Sequence, residues 1–166
     1  MAPTVTGIVL ANGSGAADSG DSVTITYSER MDASKFCGIW TNTGTGLLTL
    51  NANNDVIVSL TNNGTNDTLT VSSTKDCPSL NIGTVNLGGD YIGSGTATFQ
   101  GNGNGKVSSV QWDPVTFKVT IVLGSKTGTV LSGVGLGTPS YTPLSSLSDV
   151  AGNPLGTSSL TSQSRF

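Results

Sequence analysis

Cys37 and Cys77 are the only thiols of this chain, and its ten acids are nine aspartates and Glu29. Histidine is absent. That removes the commonest general base and the commonest metal ligand. A Ser-His-Asp triad and a Cys-His pair are excluded with it. A pair of carboxylates, as in glycosidases, is the remaining route to acid–base catalysis. Glu29, however, falls in a turn-like run, and most aspartates stand where Asp is favoured by local side chain–backbone bonds. The chain therefore reads as non-enzymatic, with no cofactor.

Other chemistry is weighed residue by residue. Asp18 with Asp21, or Asp149 with Asn153, offers hard oxygen ligands for calcium, but no EF-hand spacing is present. The same residues are explained by turns that need acceptors for backbone N–H groups. Residues 101–105 (GNGNG) lack the Gly-Lys-Ser/Thr ending of a phosphate loop and read as a hairpin tip. An intramolecular isopeptide bond between a Lys and an Asn would need Glu29 as its catalytic acid beside a buried Lys such as Lys118. Nothing marks that geometry, and Lys118 reads more simply as solvent-facing. Trp40, Trp112, Tyr91 and Tyr141 could stack on a sugar, but in a chain with so few aromatics core or sheet-edge packing is the favoured use. Asn12, Asn63 and Asn66 open glycosylation triplets, which arise by chance in so Asn- and Thr-rich a chain.

The cysteines are better placed for a bond than for catalysis. Neither has a second Cys or a His nearby, so zinc lacks ligands. A Cys37–Cys77 disulfide is expected. Closing a loop of about 40 residues contributes roughly 4 kcal/mol in the chain-entropy treatment. Such a bond belongs outside the reducing cytosol.

The elements that would position these groups are short strands. Thr, Ser, Gly and Asn make up 82 of the 166 residues. Val, Ile and Leu nevertheless alternate with Thr and Ser, which argues against disorder. Val5, Ile8 and Leu10 open a first strand. Val23, Ile25 and Tyr27 share one face of a second, and Val119, Ile121 and Leu123 share one face of a third. Residues 32–37 read as one helical turn capped by Asp32. Further strands are expected at 47–50, 56–60, 68–71, 80–87, 96–99, 107–112, 129–136 and 155–160. Asn- and Gly-rich breaks separate them at hairpin spacing. The pattern is that of a sandwich or barrel spanning residues 1–166 as one domain.

Charge and hydropathy bound the partners. Net charge is −3, with seven basic residues and no basic cluster, so nucleic acid is not an expected partner. The longest apolar runs are a few residues, and no membrane insertion is expected. Residues 1–4 have neither a basic start nor an apolar run, so a signal peptide is not expected there. The chain reads as an excised mature domain with an added Met.

Three motifs carry a resemblance. Residues 24–34 (TITYSERMDAS) resemble the F-S-E-P-M-D segment of bacterial Ig-like domains of S-layer and adhesin-type surface proteins. Residues 107–123, with Trp112, Asp113 and Pro114, are similar to the central hairpin of that family. Residues 141–143 (YTP) and 149–154 (DVAGNP) resemble its closing motif. Arg30 stands where the family often has Pro, and residues 37–105 are poorly covered. The resemblance implies an all-β, Ig-like antiparallel β-sandwich with an elaborated, disulfide-bounded segment. It implies an extracellular, cell-surface module that is structural or adhesive and has no catalytic residues. Its partners would be neighbouring copies of itself, adjacent repeats or surface glycans. Two alternatives stand beside it. One is a filament subunit assembled by strand donation, with Thr4, Val5, Ile8, Val9 and Leu10 as the donor strand. The other is a carbohydrate-binding module.

Overall fold

The computed structural model describes residues 1–103, 105–156 and 160–166. In chain order the elements are β1 (Val5–Ala11), β2 (Ser22–Tyr27), α1 (Ala33–Phe36), β3 (Leu48–Leu50), β4 (Val56–Thr61), β5 (Thr68–Ser73), β6 (Thr84–Asn86), β7 (Thr96–Gln100), β8 (Ser109–Asp113), β9 (Lys118–Val122), β10 (Ser125–Thr127) and β11 (Ser140–Thr142). They form a five-stranded sheet, order β1-β2-β9-β8-β3, and a six-stranded sheet, order β10-β7-β4-β5-β6-β11. Every strand pairing is antiparallel. The expected all-β sandwich is the architecture found. No helix among the described residues is long and apolar enough to cross a membrane.

Alternation in β2 and β9 sets the centre of the first sheet. Ile25 lies opposite Val119 and Val23 opposite Ile121, and all four are fully buried. Thr and Lys fill the positions between, so a one-residue slip would bury polar groups and expose the apolar set. Trp112 of β8 brings the largest side chain inward. Its ring lies 5.9 Å from Tyr27 and 5.2 Å from Phe36. Such tilted or edge-on pairs add about 0.5–1.5 kcal/mol beyond the area they bury. Phe36 reaches this cluster because Asp32 caps α1, its carboxylate accepting the Ser34 N–H at 3.0 Å.

The chain changes sheet at Gly124, between β9 and β10. A Cβ there would collide with the Gln100 carbonyl and the Ser108 amide, so only glycine lets the strands pass so close. The β8–β9 hairpin closes through Asp113, which accepts the Val115 N–H at 2.8 Å and the Thr116 hydroxyl at 2.6 Å.

Cys37 and Cys77 form a disulfide with a Cα–Cα separation of 6.0 Å. It ties the end of α1 to the loop after β5, and both sulfurs belong to buried residues.

Two expected strands differ, and a third falls partly outside the described residues. Residues 129–136 form none. Gly133 takes φ +76°, and the backbone instead bonds to loops, Leu131 N–H to the Tyr91 carbonyl and Val134 N–H to the Gly15 carbonyl. The apolar spacing there serves packing of Val130 and Val134 against the core. Of residues 80–87 only Thr84–Asn86 is strand, because Gly83 at φ +87° breaks the run. The stretch expected at 155–160 includes residues 157–159, which lie outside the described residues. Leu155 itself bonds back to the Leu147 carbonyl.

Candidate functional site

β2 delivers residues 28–32 to one end of the five-stranded sheet, and α1 turns the chain away there. The 148–154 loop meets it: Met31 and Asp149 form an isolated antiparallel bridge, and the Asp32 N–H donates to the Ser148 carbonyl at 2.9 Å. The two outer sequence motifs are thus one structure. Between them opens a cleft of about 310 Å³, lined by Glu29, Arg30, Asn42, Asp149, Val150 and Ala151.

Its polar groups are largely committed to the fold. Asp149 accepts the Asn153 backbone N–H at 2.8 Å and the Asn153 side-chain amide at 2.7 Å. That side-chain bond, against the opposing effect of burial and with help from the Asn153 and Ala151 amides, holds its carboxyl below the ordinary range. Gly152 at φ +87° closes the turn. Asp32 bonds Ser34 and the Asn42 side-chain amide. Burial pushes its carboxyl up, but these bonds and nearby Lys35 outweigh it and hold the group below its usual value. A carboxylate held ionised is a poor general acid.

Arg30 has a structural task that the sequence did not disclose. One terminal nitrogen donates to the Asn42 carbonyl at 2.7 Å and to the Gly44 carbonyl at 2.9 Å. The neighbouring Asn42 side chain accepts the Ala33 N–H at 2.8 Å. Arg30 thereby pins the loop before β3 onto the motif turn. Its Nε is buried without a hydrogen-bond partner among the described residues.

The other sequence candidates lie elsewhere. Asp21 accepts from the Asn12 side chain at 2.6 Å and from the Asp18 N–H at 2.7 Å. Asp18 pairs with Lys126 at 2.8 Å. Among the described residues no group of three or more His, Cys, Asp or Glu is placed to hold a metal ion. Lys118 lies exposed on β9, in register with Thr26 and Asp113 rather than with Glu29. Trp40, Trp112 and Tyr91 are buried and Tyr141 is partly so, which leaves them packing the core. Tyr27 donates to the Tyr141 hydroxyl at 3.4 Å, and Tyr141 donates to the Ile82 carbonyl. Burial pushes the Tyr141 phenol up to about 12, so it stays neutral at any physiological pH.

The proposed donor-strand residues form β1. Val5, Ile8 and Leu10 are buried and Val9 is half exposed. Thr4, just before the strand, donates to the Ser28 hydroxyl at 2.9 Å. β1 pairs with β2 from Val5–Tyr27 to Ala11–Ser22 and lies at the edge of its sheet. The C-terminal segment follows its outer flank. Leu10 N–H donates to Ser164 Oγ at 3.0 Å, Arg165 Nε to the Gly13 carbonyl at 3.0 Å, and Gly15 N–H to the Phe166 carbonyl at 2.5 Å. Phe166 is buried edge-on against Tyr91 at 5.3 Å. Sequence reasoning did not single out Ser164, Arg165 or Phe166. The available signal was Phe166 itself, the one aromatic after Tyr141.

Two buried aspartates were also read only as turn residues. Asp67 accepts the N–H groups of Tyr91 and Ile92. Asp55 accepts the Ser73 hydroxyl at 2.7 Å and the Thr74 and Lys75 amides. Ser73 Oγ in turn accepts the Cys77 N–H at 2.8 Å, so Asp55 shapes the loop that presents Cys77 to Cys37.

No protein-family model, curated protein or solved structure matches this chain.

Proposed function

We propose that the chain is a non-catalytic extracellular module, structural or adhesive, of a bacterial surface protein. The carrying observation is where the polypeptide is held at its two ends. Pro3 is bound beside the start of β1, its carbonyl accepting the Gly156 N–H at 2.8 Å, while Phe166 is bound to Gly15, beyond the other end of that strand. A chain that enters a sandwich at one end and leaves at the other suits serial linkage, in which each unit adds length. The buried disulfide supports an oxidising location. The motif carboxylates support a scaffold because their bonds hold turns together.

The test is a tandem protein of two copies joined from Phe166 to Met1. Small-angle scattering should give a maximum dimension near twice that of one copy. A folded-back pair of unchanged length sinks the spacer reading. Light scattering decides the second reading, strand donation, which the edge position of β1 favours. That reading requires polymers that are lost when residues 1–10 are deleted. A concentrated sample that stays monomeric removes it. A glycan array on the same protein tests adhesion to sugars.

A further inference from the structure

We propose that this module bears tension through a shear clamp formed by β1 and the C-terminal segment, and that the Cys37–Cys77 disulfide limits how much chain is released when the clamp fails. The inference rests on the serial-module reading and specifies what each unit does under load.

The clamp follows from strand direction. Gly156 contacts Pro3, Ser164 contacts Leu10, Arg165 contacts Gly13 and Phe166 contacts Gly15. From Ser164 to Phe166 residue numbers rise together on both sides, so Ser164–Phe166 run in the same direction as the chain from Leu10, near the end of β1, to Gly15 beyond it. On its far side Ser164 exchanges two backbone bonds with Gly137, at 2.9 and 3.2 Å. Arg165 also donates to the Val134 carbonyl. The segment is therefore held between β1 and residues 134–137.

Tension entering at Pro3 draws β1 toward its Val5 end. Tension leaving at Phe166 draws the C-terminal segment the opposite way, along nearly the same line. Bonds across the two must then slide and break together, not one after another. β1 carries a second ladder loaded the same way, its pairing with β2 from Val5 to Ala11. Val5, Ile8 and Leu10 anchor β1 in the core, and Phe166 against Tyr91 anchors the other partner. Both anchors must leave apolar surroundings before either strand can slip, and forced unfolding is governed by the rate of that step.

The disulfide bounds the release. It spans a sequence separation of 40 and closes β3, β4 and β5 into a loop. That loop does not lengthen under tension while the bond stands. At about 3.5 Å per extended residue it withholds roughly 140 Å of chain from each unit.

Single-molecule force spectroscopy tests this, with the whole chain placed between marker domains of known extension. The clamp predicts that Ser164→Ala and Phe166→Leu lower the rupture force. Leu69→Ala, in β5 outside the clamp, should leave that force within error even though it costs more in chemical denaturation. Reductant should lengthen each unfolding event by about 140 Å. The clamp is overturned if Leu69→Ala lowers the force as much as the clamp variants do, or if neither clamp variant lowers it. The disulfide limit is overturned if the length released is the same with and without reductant. An extended tandem in scattering combined with force that ignores the clamp variants rejects this inference and leaves the module reading standing. A folded-back tandem rejects the module reading itself.

Discussion

Met31 and Asp149 face each other across an isolated antiparallel bridge, and through it the turn after β2 and the 148–154 loop become one unit. Met31 is fully buried at this joint. Met31→Ala leaves a cavity there and is expected to cost about 2–5 kcal/mol. Urea denaturation measures it. A loss under about 0.5 kcal/mol, the range of ordinary surface substitutions, would show that the joint carries little of the fold.

Arg30 binds two loop carbonyls with one nitrogen. Hydrogen bonds from a charged donor contribute about 1.5–3 kcal/mol when shielded, and this side chain is only partly shielded. Arg30→Ala is expected to cost about 1 kcal/mol and to raise amide exchange between residues 41 and 47. Unchanged exchange in that loop contradicts the pinning role.

Removing the disulfide as the Cys37→Ala, Cys77→Ala pair should cost about 2–5 kcal/mol, in the range of small secreted domains. Thermal or chemical melts read the loss. Mass spectrometry of the unreduced, alkylated protein should find no labelled thiol. Two labelled cysteines would refute the bond directly.

Val119 is fully buried opposite Ile25 and Trp112. Val119→Asp buries an unpaired charge, and the expected result is loss of the folded state at room temperature. A melt within a degree or two of the parent would mean that the β9 face is misassigned.

The pH dependence should be acidic-side. Asp32 and Asp55 both have carboxyls held below their ordinary value, by bonds that outweigh burial. A depressed folded-state value means the unfolded chain takes up protons first as pH falls. Their contribution is therefore complete above the unfolded value near 4 and is lost as pH drops through the folded one. Stability should stay level with respect to these groups from neutral pH down to about pH 5, then decline. Asp55→Asn should be less stable at neutral pH and should show a shallower acid decline. An equally steep decline in that variant excludes Asp55 as a cause.

Much of the sandwich was legible in the chain because it rests on local rules. Val23, Ile25, Tyr27, Val119, Ile121 and Leu123 alternate with polar residues, and a pleated strand places every second side chain on one face. Asp32 before a short helical turn is likewise a local signal. The expected strand at 129–136 failed because alternation alone does not supply a partner. Its backbone groups were taken by Tyr91 and Gly15, and glycine at 133 lets the chain leave the extended region.

What residue types determined was chiefly negative and covalent. Without histidine, whole classes of catalysis were closed, and two cysteines with no metal-ligand company left a disulfide as the favoured use. What tertiary structure alone decided was proximity between distant segments. It brought Met31 to Asp149, Arg30 to the Asn42 and Gly44 carbonyls, and the Ser164–Phe166 segment to the flank of β1. It also put the candidate sugar-stacking aromatics into the core. Hydropathy and periodicity report which face of an element is apolar. They carry no information on which remote backbone groups will satisfy each other, because that depends on how the two sheets close around a shared core.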